Sequence, residues 1–183
     1  MGSSPLIGRA VFLDRDGVIN RALLRDGRPY PPHRLDEVTL LPGVAEALAR
    51  LREAGFRLIV VTNQPDVARG TQTRESVEQI HQMLQAQLPI DEVRVCYHDD
   101  VDHCQCRKPL PGMLLDAARE AGLDLTASFM VGDRWRDIEA GQRAGCATVF
   151  IDYDYAEKRP DRCDASVSSL AEATQWILGR ENG

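Results

Sequence analysis

Two aspartates, Asp14 and Asp16, stand where a predicted strand ends in the stretch VFLDRDGVIN. Residues at i and i+2 of an extended chain project to the same side, so the two carboxylates lie close together and repel each other. A divalent cation would relieve that repulsion, and ligand sets made only of oxygen favour Mg²⁺. Gly17 follows directly and lets the backbone turn sharply. The pair therefore predicts a magnesium site at a strand end.

A second group of candidate ligands lies in the stretch CYHDDVDHCQC, which contains Cys96, His98, Cys104 and Cys106. Three thiolates and one imidazole form a closed tetrahedral zinc site, which would be structural. Disulfides are the alternative, but Cys104 and Cys106 are too close in sequence to pair easily with each other. His103 is the alternative to His98 as the fourth ligand. We predict a zinc-bound loop over residues 96–106.

The composition fits one soluble domain over residues 1–183, since 43% hydrophobic content can bury one core. A net charge of −6 gives no broad basic face for nucleic acid. No apolar run is long enough for a membrane span, and the opening MGSSPLIGRA lacks signal-peptide features. We therefore expect a cytoplasmic monomer with residues 1–8 flexible or vector-derived. Cys146 and Cys163 are predicted to be buried free thiols.

Strand-like and helix-like segments alternate along the chain. RLIVVTN is a β-branched run typical of a strand buried on both faces, and PGVAEALARLREAG has apolar residues at helical spacing. Thr73 is predicted to cap the next helix. Further strands are predicted at AVFLD, VRVCYH, SFMVGD, ATVFID and ASVSS, and further helices at PGMLLDAAREAG, DIEAGQRAG and LAEATQWIL. This order predicts an α/β fold with a doubly wound parallel sheet.

Ligands of such folds bind beyond the carboxyl ends of the strands. Asp14, Thr62 and Asp133 all follow predicted strands, and Lys108 comes after a strand and a short loop. Asp137 lies four residues beyond Asp133, where a helix begins, so the two carboxylates face the same way. The stretch before Leu41 reads as a polar loop, too short for a separate cap domain. Short loops must then cover the site.

The motifs DRDGV, VVTNQ, RKP and GDRWRD occur in this order between residues 14 and 137. Together they resemble the four motifs of the haloacid dehalogenase superfamily, which implies a Rossmann-like core and phosphatase activity. The resemblance implies that Asp14 is the nucleophile and that Asp16 is the general acid and base. It implies that Thr62 binds a phosphoryl oxygen and that Lys108 offsets the charge on it.

The same resemblance implies a catalytic Mg²⁺ held by Asp14, Asp16 and Asp133. Asp137 is expected to hold a water molecule or Lys108. A phosphoacceptor signalling module is the non-enzymatic alternative, as is a zinc-binding module. Receiver-type modules lack an acid at the position of Asp16, which favours an enzyme.

The zinc loop beside Lys108 resembles that of the histidinol-phosphate and heptose-bisphosphate phosphatase branch. Within that branch, the sequences PLPGM and VARG favour heptose 1,7-bisphosphate, with removal of the 7-phosphate. Histidinol phosphate is the alternative substrate, and a nucleic-acid 3′-phosphatase is a weaker alternative. In each case the enzyme reading implies a small phosphorylated partner rather than nucleic acid or a membrane.

Asn63, Arg107 and Arg69 are the predicted substrate-binding residues, because guanidinium groups match phosphate oxygens in a fork. The branch usually continues TNQ with Ser-Gly, whereas Pro65 and Asp66 follow here. Proline restricts the backbone, and Asp66 adds an anion near a phosphate site. The histidines at positions 33 and 81 are predicted to be surface or packing residues.

Overall fold

A computed structural model of the protein describes residues 8–181. The prediction for residues 1–8 lies outside this range except at Gly8, whose backbone N–H donates to the carbonyl of Gly122 at 3.0 Å. Six parallel strands form one sheet in the order β5-β4-β1-β6-β7-β8. Their bounds are β1 Ala10–Leu13, β4 Arg57–Asn63, β5 Glu92–Cys96, β6 Phe129–Gly132, β7 Ala147–Ile151 and β8 Ala165–Val167.

Five α-helices cover the two faces of the sheet: α1 Val44–Glu53, α2 Arg74–Gln87, α3 Gly112–Ala121, α4 Trp135–Ala144 and α5 Leu170–Glu181. Side chains of α1, α2 and α5 pack with Val11 and Leu13 of β1. Side chains of α3 and α4 pack on the other face with Ala10 and Phe12. Alternate residues of β1 therefore enter opposite core layers, as a doubly wound sheet requires. The predicted fold class is confirmed.

The helix boundaries match the sequence patterns with small differences. Thr73 caps α2, since its Oγ1 accepts from the backbone N–H of Ser76 at 3.1 Å. The helix predicted at DIEAGQRAG begins earlier, at Trp135, and the strand predicted at VRVCYH ends at Cys96. Among the described residues, no helix combines the length and apolar character needed to cross a bilayer.

The stretch predicted as a polar loop contains a β-hairpin, formed by β2 (Leu23–Arg25) and β3 (Arg28–Tyr30). Asp26 and Gly27 connect the strands with φ angles of 51° and 73°, the left-handed pair that a type I′ turn requires. The Asp-Gly dipeptide was the signal for this turn. The strands are three residues each and mostly exposed, so they lack the apolar periodicity that predicts longer strands.

Candidate active site

Neighbouring strands of the sheet bring the predicted catalytic residues together. Asp14 directly follows β1, and its backbone N–H donates to the carbonyl of Val131 in β6 at 3.0 Å. Asp133 directly follows β6. Gly17 allows the chain after β1 to approach Asp133, since a Cβ built at Gly17 would lie 1.9 Å from Asp133 Oδ2. Its φ of 86° is also in the region that favours glycine.

Lys108 reaches this strand end with a fully buried ammonium group. Its Nζ donates to Asp14 Oδ1 at 2.8 Å and to the carbonyl of Val61 at 2.7 Å, and it lies 2.7 Å from Asp137 Oδ1. Burial disfavours the charged lysine, but Asp137 and Asp14 outweigh it and raise the Lys108 pKa. Asp14, Lys108, Asp133 and Asp137 together are called the buried charge cluster below.

The carboxylates of this cluster are held against their own repulsion. Burial and the nearby charge of Asp137 raise the pKa of Asp14 to about 6, although Lys108 acts in the opposite direction. Burial and the charges of Asp14 and Asp137 likewise raise the pKa of Asp133. Two acids with raised pKa values beside a third carboxylate form a site that a cation would stabilise.

The donor atoms of Asp14, Asp133 and Asp137 lie within 4.8 Å of one another, which suits one metal ion. Asp133 Oδ1 is buried and has no hydrogen-bond partner, while Oδ2 accepts from the Tyr155 hydroxyl at 2.8 Å. A buried oxygen without a partner is costly unless a cation or water binds it. The oxygen-only donor set therefore fits Mg²⁺.

Asp16, predicted as a magnesium ligand, is not among the carboxylates whose oxygens converge in this cluster. Its carboxylate accepts two hydrogen bonds from Arg15, one from Asn20 and one from Gln64, at 3.0 to 3.1 Å. Burial opposes ionisation, but Arg15 and these hydrogen bonds lower the pKa of Asp16. The structure thus brings Asp137, rather than the Asp16 carboxylate, close to Asp14 and Asp133.

Arg15 is itself completely buried and is held from its other end by His81. Arg15 NH1 lies 3.0 Å from His81 Nε2, and because a guanidinium group only donates, Nε2 must be the accepting, unprotonated nitrogen. Burial, followed by the charge of Arg15, lowers the pKa of His81 to about 3. His81, which was predicted to be a packing residue, therefore also holds Arg15, and Arg15 in turn orients Asp16.

Thr62 and Asn63 end β4 and take different partners. Thr62 is buried, and its Oγ1 accepts from Gln64 Nε2 at 2.9 Å. Asn63 exchanges two hydrogen bonds of 3.0 Å with the backbone of Lys108. Asn63 therefore holds the backbone of Lys108, the predicted catalytic lysine, from the end of β4. Its contact with substrate stays a prediction.

The four predicted zinc ligands converge at the end of β5. The Sγ atoms of the three cysteines are separated by 2.9 to 3.7 Å, and His98 Nδ1 lies 3.3 Å from Cys106 Sγ. A tetrahedron with Zn–S bonds of about 2.3 Å places its sulfurs roughly 3.8 Å apart, so this cluster fits zinc after small adjustments. His103 is exposed and lies outside the cluster, which favours His98 as the fourth ligand.

The two remaining cysteines are free thiols but differ in burial. Cys146 is buried, as predicted, and burial raises its pKa to about 12. Cys163 is only partly buried, so that part of the prediction is wrong. It lies in the loop between β7 and β8, where the chain runs over the surface.

A cavity of about 310 Å³ opens above the strand ends. Asp14, Asp16 and Asp133 line its inner part. Its lining also includes five arginines, called the arginine wall below: Arg28, Arg69, Arg107, Arg134 and Arg136. The cavity therefore has the side chains that a multiply charged anion requires.

The predicted substrate residues Arg69 and Arg107 both belong to this wall. Arg69 donates to both carboxylate oxygens of Asp99, at 2.7 and 2.8 Å. Arg107 Nε donates to Asp100 at 2.7 Å, while its NH1 is buried and has no hydrogen-bond partner. A buried guanidinium nitrogen without a partner is suited to an anionic ligand that can reach it.

Three arginines of the wall escaped the sequence reasoning. Arg134 and Arg136 lie inside the GDRWRD motif, in which only the aspartates were predicted to be functional. Arg134 pairs with Glu157, and Arg136 NH1 lies 3.3 Å from Asp100. Arg28 is in the hairpin that the sequence analysis missed. Two tyrosines in the loop after β7 were also not predicted: Tyr153 donates to the carbonyl of Gly17, and Tyr155 donates to Asp133. No local sequence pattern indicates a role for either.

A parallel sheet with clustered carboxylates and a buried lysine at its carboxyl edge is the arrangement expected of a phosphoryl-transferring hydrolase of the α/β class. The model of the haloacid dehalogenase-like hydrolase family matches residues 30–145. The chain belongs to this family, as its motifs predicted.

Proteins of similar sequence indicate the branch of this family to which the chain is most similar. A Photorhabdus laumondii protein named D-glycero-beta-D-manno-heptose-1,7-bisphosphate 7-phosphatase is 40% identical over 93% of this chain and 95% of its own length. An Escherichia coli protein of the same name is 37% identical over 92% of this chain and 93% of its own length. The predicted enzyme class, a phosphatase, is confirmed.

A solved structure from the same branch is similar to this chain in fold and in sequence. The D,D-heptose 1,7-bisphosphate phosphatase of Bordetella bronchiseptica, complexed with magnesium and phosphate, has a TM-score of 0.80 and 33% identity. The match covers 94% of this chain and 99% of that one. The resemblance to the heptose-bisphosphate phosphatase branch is therefore confirmed.

Proposed function

We propose that the chain is a magnesium-dependent phosphatase that removes the 7-phosphate from heptose 1,7-bisphosphate. The observation that supports this most is the buried charge cluster at the base of an arginine-lined cavity. The 40% identical relative carries the name of this activity. Histidinol phosphate remains the alternative substrate.

The first half of the reaction uses Asp14 as nucleophile. One of its carboxylate oxygens attacks phosphorus, the bond from phosphorus to the sugar oxygen breaks, and Asp16 supplies the proton that this oxygen needs. Lys108 offsets charge on the phosphoryl group and keeps Asp14 oriented. The Thr62 hydroxyl is proposed to bind a phosphoryl oxygen. The product of this half is an aspartyl phosphate.

The second half returns the enzyme to its starting state. Asp16 takes a proton from a water molecule, whose oxygen attacks phosphorus while the bond to the Asp14 oxygen breaks. The hydrogen bonds from Arg15, Asn20 and Gln64 favour the ionised form of Asp16, which suits its role as a base. Its role as the acid of the first half therefore requires that substrate binding replace some of these hydrogen bonds, so that Asp16 carries a proton. Inorganic phosphate is then released.

Mg²⁺ would be held by Asp14 and Asp133, with Asp137 nearby and engaged with Lys108. When bound, it would offset the charge of the nucleophile and of the phosphate. The ligand role predicted for the Asp16 side chain requires it to leave its present hydrogen bonds. Zinc would be held by Cys96, His98, Cys104 and Cys106 and would order the loop before Lys108.

The surroundings of Asp66 favour the sugar over histidinol phosphate. An unpaired carboxylate would attract the amine of histidinol phosphate. Here Asp66 Oδ2 lies 2.8 Å from His33 Nε2, and Asp66 Oδ1 lies 3.4 Å from Arg69 NH1. Its charge therefore has protein partners, while the arginine wall offers donors to a second phosphate.

Phosphate release tests this function. With Mg²⁺ present, we expect heptose 1,7-bisphosphate to have a higher kcat/KM than heptose 7-phosphate, histidinol phosphate or a 3′-phosphorylated oligonucleotide. A higher kcat/KM for histidinol phosphate than for the heptose bisphosphate would favour the alternative. Absence of phosphate release from every substrate would favour a non-enzymatic module.

We also propose that residues 1–183 act as one cytoplasmic domain and as a monomer. The described helices all pack on a single sheet. Free cysteines arranged for zinc suit a reducing compartment. Sedimentation should then give the mass of one chain, 20.4 kDa.

A further inference from the structure

The five arginines of the wall differ in whether the protein already neutralises them. Arg69 and Arg107 pair with aspartates of the zinc loop. Arg134 pairs with Glu157, and Arg136 lies near Asp100. Among the described residues, the side chain of Arg28 has neither an ion-pair nor a hydrogen-bond partner, although it lines the same cavity as Asp14. It is therefore the uncompensated positive charge of the wall.

The hairpin that carries Arg28 is attached to the rest of the molecule at both ends. At its tip, the carbonyl of Gly27 accepts from the backbone N–H of Ala156 at 2.9 Å. At its base, the backbone N–H of Arg21 donates to the carbonyl of Thr39 at 2.8 Å. Pro29 further restricts the strand. The backbone that carries Arg28 is thus fixed beside the cavity before any ligand arrives, so that only the side chain has to be ordered on binding.

The charge distribution of the cavity defines what Arg28 would bind. Five aspartates and five arginines line it, so a divalent cation at the inner carboxylates would leave the lining with a net positive charge. The nucleophile is at the inner end, where the scissile phosphate must lie. Arg28 enters from the hairpin, which covers the cavity. A planar guanidinium group without a partner is suited to a second phosphate.

We propose that Arg28 is a specificity-determining residue that binds the phosphate remote from the hydrolysed one. This inference rests on the proposed function, in which the substrate is a bisphosphorylated sugar. Arg28 contributes to substrate binding and not to the chemical step. The hairpin then acts as a small fixed cover in place of a cap domain.

Arg25 provides a matched control for this role. It lies opposite Arg28 in the hairpin register and carries the same charge. Its guanidinium packs over the ring of Tyr30 at 5.1 Å, and Arg25 is not part of the cavity lining. Either Arg→Gln substitution removes one charge from the same hairpin. A difference between the two variants therefore reports a contact and not the loss of general attraction.

The experiment compares Arg28→Gln, Arg28→Lys and Arg25→Gln with the wild type on heptose 1,7-bisphosphate and heptose 7-phosphate. We expect Arg28→Gln to lower kcat/KM for the bisphosphate about ten- to a hundredfold, mainly through KM. Turnover of the monophosphate should change by less than about twofold. Arg28→Lys should recover part of the loss, and Arg25→Gln should resemble the wild type. Binding of the bisphosphate to Asp14→Asn, with and without Arg28→Gln, should show the same loss in affinity.

Two kinds of failure are distinguishable. If the wild type prefers the bisphosphate and Arg28→Gln loses no more than Arg25→Gln, the role of Arg28 is wrong and the proposed function stands. Equal losses on both substrates would also overturn it, because they indicate a structural role. If the wild type shows no preference for the bisphosphate, the proposed function fails and the role of Arg28 fails with it.

Discussion

The buried charge cluster and the arginine wall hold their charges in opposite ways. Asp14, Lys108, Asp133 and Asp137 are between 1% and 7% exposed. In the wall, the side chains of Arg69 and Arg134 are 47% and 40% exposed. Breaking a buried pair is costly because it leaves an uncompensated charge, whereas exposed pairs contribute about 0–1 kcal/mol. Arg69 and Arg134 can therefore exchange their carboxylate partners for a substrate phosphate more easily than Arg107, whose side chain is 11% exposed, and the cluster cannot rearrange so easily.

This difference assigns chemistry to the cluster and substrate choice to the wall. Strands β1, β4 and β6 position the cluster, so its geometry depends on the packed core. Two arginines of the wall, Arg69 and Arg107, lie in loops that are held by ion pairs and by the cysteine cluster. The other three lie in the hairpin and at the start of α4. Changes in the cluster should therefore alter kcat for every substrate. Changes in the wall should alter the ranking of substrates.

The largest expected effect is that of Asp14→Asn. Losing the nucleophile should lower kcat by on the order of 10³-fold or more on any phosphomonoester. Asp137→Asn removes one of the two carboxylates on Lys108 but keeps the nucleophile, so it should retain measurable turnover. Phosphate release and circular dichroism would be measured on both. Near wild-type activity in folded Asp14→Asn would disprove its assignment as nucleophile.

The next largest effect concerns the loop that connects the two regions. Cys104→Ser should remove the zinc that we expect at one per chain and lower activity about tenfold, because the loop leads into Lys108. Asn63 should limit this loss, since it holds the Lys108 backbone from β4. Cys163→Ser, outside the cluster, should change neither quantity. Zinc-free wild-type protein with full activity and freely titrating thiols would contradict this role.

A more selective effect is expected for Arg107→Ala in the wall, because it should act on one substrate and not on activity in general. Its unpaired NH1 is available to a remote phosphate, and losing a hydrogen bond to a charged group costs about 1.5 to 3 kcal/mol. The advantage of heptose 1,7-bisphosphate over the monophosphate should therefore fall, with histidinol phosphate affected less. Asp66→Gly is the partner variant. Suppose that Asp66→Gly leaves the substrate ranking unchanged and that Arg107→Ala alters the ranking. The arginines of the wall, and not Asp66, would then set the preference for heptose 1,7-bisphosphate.

The cluster was predictable from the sequence because its residues follow buried apolar strands whose order sets their neighbours. The zinc ligands were predictable because one short stretch contains all four. The orientation of Asp16 was not predictable, since it depends on Arg15 and on His81, which is 66 positions from Arg15 in sequence. The hairpin was missed because Pro29 and exposed side chains hide its short strands. The spacing of residues in the sequence thus predicts the charge cluster and the zinc ligands better than it predicts the hairpin that covers the cavity.

The last prediction concerns stability. It compares a buried carboxylate of the cluster with an exposed one on the surface, and it needs no activity measurement. The pKa of Asp14 is raised from 3.8 to about 6, mainly by burial, so the folded protein keeps this proton to a higher pH than the unfolded chain does. The contribution of Asp14 to the stability of the magnesium-free protein should therefore fall as pH rises from about 4 to about 6, and this penalty should persist above that range. Asp14→Asn removes this penalty, so its Tm should exceed that of the wild type at pH 7.5, and the difference should shrink towards pH 4. Asp161→Asn, whose side chain is 91% exposed, should show no such trend. A difference between Asp14→Asn and wild type that stayed constant from pH 4 to 7.5 would show that burial of this carboxyl does not control its ionisation.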